Sequence, residues 1–140
     1  MKLPWYVIAK GTLLQHLPLI GKSTAQSIWP LIFIPELIYR DLKTDEPNPT
    51  HVALLIHEEM HRKRQIEIGL VKFGLKYIFD SRFRFAEELL AVKEAMKYLK
   101  KNNILFDFDR NAKFLSSYVY LWPVSREFAE KELRKIWDTL

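Results

Sequence analysis

The sequence predicts an α+β fold that is mostly helical, with short strands in the N-terminal third. Three observations carry that expectation. The runs Trp5 to Leu14 and Ile28 to Ile34 are aromatic and β-branched, the composition that packs well on a pleated surface. From Thr50 to Ile68 the chain holds neither Pro nor Gly, so nothing interrupts a helix there. From Arg82 to Lys101 the apolar residues Phe85, Leu89, Val92, Met96 and Leu99 step by four and three, which sets one continuous stripe along a second helix. At 140 residues and 16.7 kDa, a length that buries roughly 68% of the unfolded chain's surface, residues 1–140 read as a single domain.

The elements follow in order. Pro30 and Pro35 punctuate the second strand run and place it at or near a sheet edge, because a proline cannot donate to a ladder. Asp41 to Pro49 is polar and proline-containing, hence a loop. Asn48-Pro49 supplies a cap and then proline at the first helical position, so a helix is expected from about Thr50 to Ile68, ended by Gly69. Leu70 to Asp80 is a shorter helix that leads into a turn at Asp80-Ser81. The helix from about Arg82 to Lys101 stops at Asn102-Asn103. Ile104 to Tyr120 is irregular, with a short helix near Asn111 to Ser116. Pro123-Val124-Ser125 caps a final helix to about Asp138, whose buried face is Phe128, Leu133, Ile136 and Trp137. No internal repeat is found.

Composition removes several classes. Apolar residues are 49% and aromatics 14%, with four Gly and seven Pro, which excludes a disordered or collagen-like chain. The absence of cysteine rules out disulfides, thiolate zinc sites, iron–sulfur clusters and a cysteine nucleophile together. The net charge is +5 and the pI about 9.4. The densest basic clusters, Arg62-Lys63-Arg64 and Lys97 to Lys101, fall on helices and read as solvated faces, so no nucleic-acid partner is expected. Stretches free of Asp, Glu, Lys and Arg, such as Gly11 to Gly21 and Ser23 to Pro35, are too short for a membrane span of roughly 20 residues. With no signal-peptide pattern either, a soluble, cytoplasmic product is the expectation.

The residues that carry chemistry are His57-Glu58-Glu59-Met60-His61. At about 100° per residue, His57 and His61 lie about 40° apart and one turn apart, so both imidazoles reach one metal ion. Glu58 projects to the flank, where it can take a proton without occupying a coordination position. Glu59 points about 200° away from His57, beside Lys63, and reads as a solvated carboxylate. With four His and eleven Glu in the chain, chance alone gives the pattern in about 1% of shuffled sequences. Two features add weight: the surrounding helix is apolar on several sides, and a third ligand is at hand.

Catalytic zinc takes three protein ligands and an open position. On a projection of Arg82 to Lys101, Glu88 falls inside the apolar stripe beside Val92, Ala95 and Leu99, whereas Glu87 shares a side with Glu94 and Lys101. A carboxylate on a buried stripe must be paired or coordinate a metal. Glu88 is therefore the expected ligand, against the alternative of a salt bridge to Arg82 or Arg84. Ala91, one turn on, lets two helix backbones approach.

At these residues the chain resembles the gluzincin metallopeptidases, in which H-E-x-x-H on one helix is joined by a glutamate from a later one. The nearest likeness is to the minimal minigluzincins and compact H-E-x-x-H proteins of prokaryotes and phages. Their second motif reads here Glu88-Leu89-Leu90-Ala91-Val92, and Val92 departs from the acid often found at that position. The resemblance rests on His57 to Gln65, Tyr77, Arg82 and Glu88 to Ala91, about a third of the chain, with the strand Ile28 to Ile34 standing where the family has an edge strand along its cleft. It implies a zincin-like fold with one zinc ion on His57, His61 and Glu88. It also implies hydrolysis of peptide or protein substrates by Glu58-assisted attack of a zinc-bound water. Val92 implies that support for the ligands comes from elsewhere or that the site is weaker.

An oxyanion donor is expected among Tyr118, Tyr120 and His16, against the plainer reading of the tyrosines as packed rings. Gln65, one turn after His61, is either a donor behind the ligands or a surface amide. His51 faces away from the pair, and Asp107 and Asp109 read as a turn. Residues 1–27 and 103–140 are long enough to cover the cleft, so latency through a terminal segment is a further expectation. The alternative is a noncatalytic interaction or virion-associated protein on the same scaffold. Oligomeric state is not encoded in any motif.

Overall fold

The computed structural model describes residues 1–11, 24–117 and 124–140. Among these, three strands precede six helices: β1 (Val7–Ala9), β2 (Gln26–Ile28), β3 (Leu31–Ile34), α1 (Glu36–Leu42), α2 (Pro49–Ile68), α3 (Leu70–Phe79), α4 (Ser81–Lys101), α5 (Phe108–Leu115) and α6 (Arg126–Thr139). The expected α+β, mostly helical organisation is present, with the sheet confined to the N-terminal part.

Local chemistry sets the helix ends. The Asn48 side chain accepts the Thr50 N–H at 2.9 Å with Pro49 at the first position, and Gly69 at φ +98° stops α2 in the left-handed region that a side chain disfavours. Asp80 accepts the Arg82 and Phe83 N–H groups at the start of α4. Asp107 does the same for α5 through Arg110, and Ser125 for α6 through Phe128. Asp107 therefore begins a helix, while Asp109 pairs with Arg126. The short helix expected near Asn111 to Ser116 starts earlier, at Phe108.

The strand region differs most from expectation. The sheet order is β1-β3-β2, with β1 parallel and β2 antiparallel to β3. Leu31–Ile34 is thus the central strand, and the edge facing α2 is β2. The prolines do not conflict with this: Pro30 lies in the β2–β3 turn and Pro35 is the N-cap of α1, so neither has to donate to the ladder. The ladder itself is held by the N–H groups of Ile32 to Tyr6 O and Lys10 to Ile34 O, both at 2.8 Å. The first run forms a strand only over Val7–Ala9, and residues 12–14 lie outside the described part. Helix α1 was not anticipated; its Ile38, Tyr39 and Leu42 turn to the sheet side.

Two apolar clusters flank α2. On one side Val7, Ile32, Ile34 and Leu42 pack with Leu55. On the other, Val92, Ala95, Met96 and Leu99 of α4 pack with Ala112 and Leu115 of α5, Ala129 and Leu133 of α6, and Ala53 of α2. The α4 stripe is buried as expected along its C-terminal half, with Phe85 and Leu89 at its partly buried rim. On α6, Ala129 and Leu133 take the inward positions while Phe128 is largely exposed, because the face that meets α4 is centred one residue later. No described helix is long and apolar enough to cross a membrane.

Candidate metal centre

Helix α2 runs along α4, and the fully buried Ala91 adds no bulk where the two backbones approach. That approach brings His57, His61 and Glu88 together. His57 Nε2 and His61 Nε2 are 3.0 Å apart, and each lies 3.2 Å from a Glu88 oxygen, Oε2 and Oε1 respectively. Zinc held tetrahedrally at about 2.05 Å from its ligands sets neighbouring ligand atoms roughly 3.3 Å apart. The observed separations fit that size. Among the described residues this is the one group of three or more His, Asp or Glu side chains placed to share an ion.

The electrostatics suit a cation. Glu88 and His61 are both buried. Burial pulls His61 down, but the Glu88 carboxylate overrides it and lifts His61 to about 9. Burial likewise pushes Glu88 up, yet His61 and His57 hold it well below the usual carboxylate range. Both directions say that the pocket between these side chains favours a positive charge, supplied in the metal-free protein by an imidazolium.

Behind the ligands, the Tyr77 hydroxyl of α3 donates to Glu88 Oε1, the support that Val92 cannot give. The Tyr77 ring stacks on Phe73 at 5.6 Å and meets His61 edge-on. Arg84, an expected partner of Glu88 in the salt-bridge alternative, instead donates to the carbonyls of Tyr77 and Ile78 at the end of α3.

Glu58 is also buried, at the β2 side of α2. The Ser27 hydroxyl lies 2.6 Å from Glu58 O and 2.8 Å from Glu58 Oε2, so one side chain of the edge strand fixes both backbone and carboxylate. Gln65 proves to be neither a surface amide nor a direct partner of the ligands. Its Oε1 accepts the Trp29 N–H and its Nε2 donates to Ser27 O, both at 2.7 Å, which clamps the strand that carries Ser27. Lys10, visible in the sequence only as a break in an apolar run, is buried and donates to Thr24 O. Desolvation lowers its pKa, against the pull of the Glu58 charge.

Four charged residues lie elsewhere than their spacing suggests. Glu87 is buried, and Arg64 Nε and Nη2 reach its two oxygens at 2.9 and 2.7 Å. Of the Arg62-Lys63-Arg64 cluster only Lys63 is a solvated residue. Arg62 covers the Tyr6 ring at 3.8 Å and donates to Pro30 O. Glu59 accepts the Tyr6 hydroxyl at 2.7 Å and so ties α2 to the sheet instead of standing in solvent. His51 faces away as expected, with Nδ1 2.7 Å from Asp41 Oδ2. The candidate oxyanion donors Tyr118, Tyr120 and His16 lie outside the described residues. No family model, curated protein or solved structure matches the chain.

Proposed function

We propose that the protein is a zinc-dependent metallopeptidase with a zincin-like fold, in which His57, His61 and Glu88 hold one zinc ion and Glu58 is the general base and acid. The observation that carries this reading is the convergence of three ligand atoms from two helices with a buried carboxylate one residue from the first ligand. A purely structural site has no need of Glu58.

Bound zinc supplies Lewis acidity, lowering the pKa of a water towards about 7 and polarising a scissile carbonyl. The rest falls to the chain. Ser27 holds Glu58 Oε2, leaving Oε1 as the oxygen that takes a proton and returns it to the leaving amine. Tyr77 and His61 fix the Glu88 carboxylate. Strand β2 borders α2 on the Glu58 side, so an extended peptide or protein substrate is the partner this reading names.

The test is a peptide-library digest with zinc-loaded protein beside Glu58→Gln. Cleavage that disappears in Glu58→Gln while zinc content is kept supports the reading. Zinc retention without cleavage in the wild type favours the alternative, a noncatalytic interaction protein on the same scaffold.

A further inference from the structure

We propose that the outer face of α3 docks the protein on an anionic lipid surface. This rests on the exposed face alone and holds whether or not the site binds metal.

Helix α3 turns Phe73 and Tyr77 inward. At 100° per residue the position farthest from their midpoint is Leu75, where a solvated helix would carry a charge. Instead Leu70, Val71, Leu75, Ile78 and Phe79 are all exposed, Val71 at 75% and Phe79 at 82%. That is half of a ten-residue helix, and it forms an arc of about 180°. Monomeric proteins rarely leave so continuous an apolar face in water.

Charge selects the occupant. Lys72 and Lys76 follow on the flank of the arc, both exposed, and α3 contains no acid. A second copy would bring two more lysines to the same contact with no carboxylate from α3 to receive them. Anionic headgroups receive them well: an interfacial helix sinks its apolar face roughly 5–10 Å into the headgroup boundary while lysines reach phosphate.

The experiment is co-sedimentation of the full chain with sucrose-loaded vesicles of phosphatidylcholine alone or mixed equally with phosphatidylglycerol. The expected result is binding to the mixed vesicles that weakens with salt and is at least tenfold poorer on the neutral ones. Val71→Asp/Phe79→Asp should lower the partition coefficient at least tenfold. Lys72→Gln/Lys76→Gln should lower it about 25-fold, or about fivefold per lysine. Both variants change exposed residues, so unchanged thermal unfolding by circular dichroism confirms that they fold. Any of three results overturns the proposal: no binding to anionic vesicles, equal binding to both vesicle types, or binding unaffected by Val71→Asp/Phe79→Asp. A concentration-dependent dimer abolished by that variant, with no vesicle binding, assigns the face to a second copy instead.

Discussion

Replacing Arg64 by methionine breaks the interaction that clamps α2 to α4 behind the candidate site, together with the exposed Arg64–Glu67 pair, which contributes roughly 0–1 kcal/mol. Glu87 is only 3% exposed, and Arg64 meets both of its oxygens at 2.7 and 2.9 Å. Methionine keeps most of the arginine stem's packing but leaves a buried carboxylate without its cation. Breaking one side of a buried pair costs roughly 3–5 kcal/mol. The low end applies here, because the arginine side chain is a quarter exposed and water can reach part of the gap. For a chain of this length the unfolding entropy is roughly 0.3 kcal/mol/K, so about 3 kcal/mol lowers the melting temperature by about 10 °C. Calorimetry in the presence of a chelator reads the effect apart from any metal. The double variant Arg64→Met/Glu87→Leu removes the stranded charge and should recover most of the loss, since apolar replacement of a whole buried pair is often neutral. A fall of less than about 3 °C in Arg64→Met, or a double variant no better than the single, would show that the buried Glu87 charge does not depend on Arg64.

Three further outcomes are expected. Ser27→Ala removes the hydroxyl that orients Glu58, so kcat for peptide cleavage should fall about 10- to 100-fold, the worth of a hydrogen bond to a charged group, with zinc content unchanged. An unaltered kcat would show that Ser27 does not position the base. Zinc binding near pH 7 should release about one proton. His61, lifted to about 9 in the metal-free protein, is charged there and must become neutral to ligate. Apparent affinity should therefore rise with pH up to about 9, and calorimetry in buffers of different ionisation heat measures the proton; a flat profile from pH 6 to 8 contradicts it. Without metal the sign reverses for stability. The raised His61 pKa stabilises the fold fully below about 6.5, and that contribution is lost as pH rises through about 9.

Most of the helices, and the three side chains of the candidate site, were legible in the sequence because their signals are local. Asn48-Pro49, Gly69 and Asp80 bound their helices by backbone chemistry alone. The 40° offset of His57 and His61 follows from helix geometry. The assignment of Glu88 to the buried stripe placed it opposite them. What the sequence hid depends on contacts between distant residues. Nothing near Arg64 says that it reaches Glu87, 23 residues on, and a single-helix projection cannot show that the α2–α4 contact is wide enough to bury both Glu87 and Glu88. Strand order is equally non-local: two prolines suggested an edge, yet both sit where no ladder bond is needed. Ser27 lies in a stretch without periodicity, so its hold on Glu58 had no signal at all. The terminal segments show a similar limit. Helices α5 and α6 complete the core with α4, so deleting residues 103–140 would probe folding before it probed latency.

Whether two helices of this chain hold a metal ion is decided by elemental mass spectrometry of the purified, zinc-supplemented and desalted protein. Wild-type protein should carry one zinc per chain, with the content falling sharply in His61→Ala and in Glu88→Gln while both variants retain helical circular dichroism. Wild-type protein without metal, or variants that hold as much zinc as wild type, would show that His61 and Glu88 do not hold a metal ion.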